Sequence, residues 1–278
     1  MNGIFLIDKP AGMTSFDVIA VLRKKLGIKK IGHTGTLDPN ATGLMMILVG
    51  KSTKLLPYID NQTKTYQATM KLGIKTHTGD IWGNVKETKV VIPITESQVQ
   101  ETFKKFTGPQ QQIPPMVSAI SVNGKRLYEY ARQDIEIERL PRNIEVYTLQ
   151  GKLGMEEIEF IAHCSSGTYI RTLCEDMALD LTNIACMSSL RRIEIGKFKL
   201  NQAITLAELD PIHIPWLSEE EVVGLPVIEV YDQTEFKDGK IMSLDSPYDT
   251  VILKYEGELV AVYTRQNGSN YRSLRGLW

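Results

Sequence analysis

The chain is poor in cysteine, in histidine and in net charge. Its three cysteines, Cys164, Cys174 and Cys186, are odd in number and show neither C-x-x-C spacing nor paired histidines, so neither a disulfide framework nor a zinc site is indicated. The histidines at 33, 77, 163 and 213 have no metal-ligand spacing, and no metal is expected. No apolar run approaches the length of a bilayer span, and no basic leader precedes the strand-like Ile4-Phe5-Leu6-Ile7, so a cytoplasmic protein without membrane contact is expected. Neither G-x-G-x-x-G nor G-x-S-x-G occurs. Gly50-Lys51-Ser52 resembles the end of a phosphate-binding loop, but the preceding Gly43 lies too far upstream and apolar strand formers fill the gap. The H-x-E and P-C-x-x-C pair of zinc base deaminases is absent as well.

What is present begins with a charge asymmetry that the net value of −1 conceals. Residues 1–130 carry 17 Lys and Arg against 9 Asp and Glu, residues 131–206 carry 9 against 11, and residues 207–278 carry 6 against 13. The basic first part can form a track for phosphates or a set of solvated helix faces.

Local patterns predict an α+β protein. Thr14-Ser15-Phe16-Asp17 reads as a helix start, with Phe16, Ile19, Leu22 and Leu26 on one face and Gly27 ending it. Thr95-Glu96-Ser97-Gln98 reads as a capping box, followed by the stripe Val99, Phe103 and Phe106. Residues 64–73, 143–149 and 157–164 alternate as strands. Residues 112–142, rich in Pro, Gly, Tyr and charge, break that alternation and read as an insertion. From Ala207 the chain turns acidic and proline-bearing, and it closes with strand-like 250–255 and 259–265 around Glu256-Gly257, a candidate second domain.

One run carries most of the information. Gly32-His33-Thr34-Gly35-Thr36-Leu37-Asp38-Pro39-Asn40-Ala41-Thr42-Gly43 sets a single carboxylate in a Gly- and Pro-bounded loop ahead of the apolar strand Leu44 to Val49. By residue type alone this is either a turn or a device that presents Asp38.

That run resembles the catalytic signature of the TruB family of bacterial tRNA pseudouridine synthases. Residues 3–14 (GIFLIDKPAGMT), 64–68 (KTYQA), 112–132 (QIPPMVSAISVNGKRLYEYAR), 163–173 (HCSSGTYIRTL) and Leu190-Arg191-Arg192 resemble further motifs of that family in its order. The resemblance implies the pseudouridine synthase fold: a mixed, largely antiparallel sheet flanked by helices over 1–206, a thumb-like insertion at about 112–142, and a small β-rich, PUA-like domain at 207–278. It implies isomerisation of uridine to pseudouridine at position 55 in the T-loop of tRNA, by base flipping and by cleavage and re-formation of the glycosidic bond, without a cofactor. The implied partner is the tRNA T-arm, with no protein partner and a monomeric enzyme.

Carried over onto this chain, the resemblance makes Asp38 the nucleophile and Arg171 its ion-pair partner, expected to depress its pKa. Tyr66 becomes the ring that stacks on the target base and a possible proton acceptor, Tyr169 a substrate contact bracing Arg171, and Leu190 the apolar wall of the base pocket. His33 becomes the ring inserted into the RNA loop. Lys125 and Arg126, basic residues of the thumb segment, are expected to touch phosphate. The family's usual T-D-T-x-D run appears as Thr76-His77-Thr78-Gly79-Asp80, with His77 in place of the first acid.

The chemistry is within reach of such a set. Moving C1′ from N1 to C5 conserves atoms and needs no redox input, and Asp38 can attack the substrate, stabilise positive charge at C1′, or serve a glycal route. Two rivals remain from sequence: a non-catalytic RNA-binding protein on the same scaffold, and a glycosidase or nucleoside-cleaving enzyme. The latter needs a second catalytic acid, for which Asp8 of Ile7-Asp8-Lys9-Pro10 is the one candidate, although a structural role beside the catalytic loop is expected for it.

Overall fold

The computed structural model describes residues 1–59 and 63–278. In chain order the elements are β1 (Gly3–Lys9), α1 (Ser15–Leu26), β2 (Ile31–His33), β3 (Thr42–Val49), β4 (Thr63–Leu72), the hairpin β5 (Ile74–Thr76) and β6 (Val85–Thr88), α2 (Glu96–Lys105) and β7 (Gly108–Gln112). A second small hairpin, β8 (Ser121–Val122) and β9 (Lys125–Arg126), leads into α3 (Leu127–Ala131), then β10 (Arg142–Leu153), β11 (Glu157–Ser165), α4 (Ile170–Asp180), β12 (Ala185–Ile195), β13 (Phe198–Lys199) and β14 (Ile204–Thr205). The last part holds α5 (Glu219–Val222), β15 (Val227–Glu229), β16 (Met242–Ser243), β17 (Thr250–Tyr255), β18 (Glu258–Asn267) and β19 (Asn270–Gly276).

A mixed sheet in the order β14-β1-β3-β12-β4-β11-β10-β7 forms the frame, with β2 and β13 attached to β3 and β12. Its β1–β14 and β3–β12 pairs are parallel and its remaining pairs antiparallel. Why β3 is apolar at every position from Leu44 to Val49 follows from its two covered faces. Met45, Ile47 and Val49 pack with Phe5, Ile7 and the apolar sides of α1, α2 and α4. Leu44, Met46 and Leu48 pack with Ile4, Leu6 and residues of the C-terminal sheet, including Ile252, Val262 and Leu277. A strand buried on both sides has no reason to alternate.

The helix ends behave as their sequences require. Thr14 and Asp17 close a capping box at α1, and Gly27 ends it in the left-handed conformation at φ 67°. Thr95 and Gln98 close another at α2. One expectation fails: Phe16 is 66% exposed and lies against the Arg23 guanidinium, 5.7 Å from the ring centroid. The buried stripe runs through Ser15, Val18, Ile19 and Leu22 instead, because the buried Ser15 hydroxyl is needed to bind the loop that carries Asp38.

Residues Gln112 and Arg142 pair across β7 and β10, so the chain between them leaves and re-enters the sheet at one point. The C-terminal sheet runs β15-β17-β18-β19-β16 around its own core of Phe236, Val251, Leu253, Tyr263 and Tyr271. Val251 and Leu253 face that core while Ile252 between them faces the large sheet, an alternation that joins the two sheets through one strand.

Candidate active site

The loop after β2 is fastened on both sides of Asp38. Leu37 donates its backbone N–H to Ser15 Oγ at 2.9 Å. The wholly buried Lys9 donates from Nζ to the carbonyls of Pro39 (2.9 Å), Pro10 (2.8 Å) and Met13 (2.6 Å). Gly43 then lets β3 approach β12: a Cβ there would stand 2.2 Å from the Arg192 carbonyl oxygen, and its φ is +105°. The loop therefore holds its carboxylate in place before any ligand arrives.

Arg171, in the first turn of α4, meets that carboxylate with a forked contact. Its Nε lies 3.0 Å from Asp38 Oδ2, and Nη2 donates to Oδ1 at 3.4 Å. The guanidinium, 4% exposed, also donates to the carbonyls of Thr78 (2.6 Å) and Val117 (2.8 Å). Gln112 fixes the start of α4 by accepting from the Tyr169 N–H (2.8 Å) and donating to the Tyr169 carbonyl (3.0 Å). The expected depression of the Asp38 pKa is not what the site produces. Burial raises it, the Arg171 charge pulls it back only in part, and the charge of Asp80 adds to the rise.

Asp38, Tyr66, Tyr169, Arg171 and Leu190 all line one cavity of about 490 Å³. Tyr66 and Leu190 come from neighbouring strands, with Tyr66 opposite Arg192 and Leu190 opposite Ala68 across β4 and β12. Burial raises the Tyr66 pKa, and the charge of Arg192 opposes that rise only in part. Ser118 to Ser121, from the segment between β7 and β10, close another side.

Three expected residues lie elsewhere. His33, half-buried at the end of β2, is not part of the cavity wall, and burial lowers its pKa. Lys125 and Arg126 are exposed on the β8–β9 hairpin, outside the wall. Asp8 pairs with Arg191 at 2.6 Å and is absent from the wall as well, in keeping with a structural role. His77 is exposed, and its backbone N–H bonds Asn84, while the Thr78 carbonyl beside it receives Arg171 and Asp80 accepts from the Thr78 hydroxyl at 2.8 Å. The side chain at position 77 thus stays outside the network that holds Arg171.

Sequence reasoning missed Arg192 and Lys64, both in the wall and both buried. Lys64 donates to Ser166 Oγ at 2.8 Å, and burial lowers its pKa to about 8. Both sat inside quoted motifs, KTYQA and Leu190-Arg191-Arg192, which was the available signal.

The site thus sets one carboxylate, Asp38, on the Arg171 guanidinium at the wall of a cavity that Tyr66 and Leu190 share. Similarity places the fold within the pseudouridine synthases: the structure aligns with a Cbf5-Nop10-Gar1 complex at TM-score 0.71 and 22% identity, covering 99% of this chain and 85% of that one. The chain belongs to the TruB family of pseudouridylate synthases, whose N-terminal domain model matches residues 23–170, with the tRNA pseudouridylate synthase B C-terminal domain matching 171–229. Similar proteins include a tRNA pseudouridine synthase B of Lactobacillus acidophilus (37% identical, covering 98% of this chain and 97% of that protein). Another is that of Oenococcus oeni (40% identical, covering 96% and 95%).

Proposed function

We propose that the protein isomerises uridine to pseudouridine in tRNA, at position 55 of the T-loop, and that Asp38 is the group on which the reaction turns. The observation that carries this reading is the Asp38–Arg171 pair at the cavity wall, together with membership of the family. A uridine flipped out of its loop, at a cost of about a few kcal/mol, enters the cavity and stacks on Tyr66 against Leu190. Ionised Asp38 faces C1′ while the C1′–N1 bond breaks. The uracil leaves with the C1′–N1 electron pair and turns, C5 bonds to C1′, and the Tyr66 oxygen accepts the C5 proton as its own hydroxyl proton passes on to solvent, while N1 takes up a proton from solvent.

Among the described residues, Asp38 is the one carboxylate of the cavity wall, which disfavours a two-carboxylate glycosidase. The segment from Gln112 to Arg142 is the thumb that closes on the T-arm, with Lys125 and Arg126 on phosphate and His33 at the displaced loop bases. Residues 207–278 form the smaller C-terminal unit. One chain supplies every group, so a monomer suffices, working in the cytoplasm without cofactor.

Tritium release from a T-arm hairpin carrying 5-tritiated uridine tests the reading. Wild type releases tritium in chelator with prefolded RNA, and Asp38→Asn binds the hairpin without release. Binding without release by wild type would leave the RNA-binding rival standing.

A further inference from the structure

The wall of the cavity carries more positive charge than its carboxylate answers. Among the described residues that line it, Lys64, Arg142, Arg171 and Arg192 are cationic and Asp38 alone is anionic. Arg171 is committed to Asp38 and to the carbonyls of Thr78 and Val117. Arg192, 1% exposed, donates to the Leu44 carbonyl at 2.7 Å and to the Gly35 carbonyl at 3.1 Å. A uracil ring brings no charge to offset this surplus, whereas the sugar–phosphate chain on either side of it does.

Lys64 is the cation placed to meet that chain. It is 5% exposed, and its ammonium donates to Ser166 Oγ at 2.8 Å, in the loop ahead of α4. That loop turns through Gly167 at φ +89°, where an added Cβ would meet nothing within 4 Å, so space is open beside it. Helix α4 then begins at Tyr169 without a side-chain cap, and Ser166, Gly167 and Thr168 line the cavity with its first residues. The N–H groups of a first turn and the helix dipole favour an anion. From the other side comes the loop that bears Asp38: a Cβ on Gly35 would stand 3.6 Å from Lys64 Cε and 3.5 Å from Arg192 Nη1. Lys64 and Tyr66 are alternate residues of β4 and share a face of the sheet. They are set about 7 Å apart along the strand, the reach of one nucleotide from base to backbone. Burial lowers the Lys64 pKa to about 8, which leaves the ammonium largely charged at neutral pH.

We propose that Lys64 is a substrate-binding residue for the RNA backbone: with Ser166 and the start of α4 it grips one of the two phosphodiesters that flank the uridine in the cavity. The proposal rests on the reading of the cavity as the pocket of a flipped uridine stacked on Tyr66. Its use follows from the reaction. While the uracil is detached and turning, the base no longer anchors its nucleotide, and a gripped phosphodiester keeps the ribose against the wall with C1′ in place. Lys64 makes and breaks no bond in this role.

The test is affinity for a T-arm hairpin, measured on the full chain carrying Asp38→Asn so that no turnover intervenes. Each of the two linkages is replaced in turn by an uncharged methylphosphonate on a 2′-deoxy sugar and compared with the same deoxy hairpin bearing phosphate. One replacement is expected to weaken binding about tenfold, as loss of a charge-assisted contact does. Lys64→Met is expected to weaken the phosphate hairpin by about the same factor and to lower the slope of log affinity against log salt by about one unit. In that variant the sensitive linkage should cost less than about twofold, because both changes remove one contact. Lys64→Arg, which keeps the charge, should stay within about threefold and keep the sensitivity. A full additional loss at both linkages in Lys64→Met, or an unchanged salt slope, would overturn the proposal. Should that variant not fold, Lys64→Gln takes its place with the same expectations, and a cost below about twofold at both linkages in the chain with Lys64 intact overturns it without any change at position 64. Coupling between Lys64 and one linkage, in a protein whose wild type releases no tritium, keeps the phosphate contact and removes the functional reading; pseudouridine formation without that coupling does the reverse.

Discussion

The loop that bears Asp38 and the segment between β7 and β10 face each other across one cavity, and they are built by opposite rules. Residues 34–41 are fastened by the buried Ser15 hydroxyl, the buried Lys9 ammonium and a guanidinium from each of α4 and β12. Residues 113–141 carry short elements, β8, β9 and α3, and a mostly exposed surface on which Lys125 stacks over Tyr130 at 5.9 Å and Arg132 over Tyr128 at 5.3 Å. One side is organised before substrate arrives, which is what electrostatic catalysis needs. The other reaches the site only at its root, where the Val117 carbonyl holds Arg171 and Ser118 to Ser121 line the wall.

The largest break in this comparison is expected on the rigid side. Asp38→Asn keeps the shape of the side chain and loses its charge, and single-turnover pseudouridine formation should fall at least about a thousandfold, or about 4 kcal/mol of barrier. Hairpin affinity measured in parallel should change little. Retained turnover above about a hundredth of wild type would remove Asp38 from the centre of the mechanism.

Arg171→Lys comes next. Lysine keeps the charge but cannot fork onto both Asp38 oxygens, and it leaves the Thr78 or Val117 carbonyl without its donor. We expect a loss of about a hundredfold, or about 2.7 kcal/mol. Equal rates for the lysine and wild-type proteins would mean that charge alone, without geometry, is what Asp38 requires.

How far the sequence could be read differs between the two regions for the same reason. Capping boxes, the doubly buried β3 and the Asp38 and Arg171 motifs were all legible, because each is local or belongs to a motif. Arg192 was not, because inward-facing arginine at 1% exposure depends on which residue of β4 it opposes, and that register joins segments more than a hundred residues apart. Phe16 was misread for a similar reason: the helix period allowed it inside, but the space was claimed by the serine that binds Leu37. The direction of the Asp38 pKa also needed the structure. Partner identity was visible in the motifs, whereas depth of burial and the nearby Asp80 were not.

That direction gives a smaller, sharper expectation. Asp38 must be ionised to work, and its pKa lies above the ordinary carboxylate value. Activity should therefore fail on the acid side at a higher pH than an exposed aspartate, near 4, would set. Removing the Asp80 charge by Asp80→Asn should move that limb downward, since Asp80 contributes to the rise. Rates from pH 4.5 to 7.5 on a prefolded hairpin measure it, and an upward shift would contradict the sign.

The smallest effect is expected on the adaptable side, and it concerns affinity alone. The β8–β9 hairpin presents Lys125 and Arg126 exposed and outside the cavity wall, so their loss should leave the rate of bound RNA unchanged. Each lost phosphate contact lowers the slope of log affinity against log salt by about one unit, so the double change Lys125→Ala/Arg126→Ala should lower it by about two at most. The acidic tail supplies the contrast. Deleting it is no clean control, because Ile252, Val262 and Leu277 cover Ile4, Leu6 and Met46 of the large sheet, and truncation would expose that core. The exposed Arg272 and Arg275 on β19 serve instead: changing both to alanine should leave the slope as it is. A flattened slope there, with none on the hairpin, would move the phosphate track from the basic first part of the chain to the C-terminal sheet.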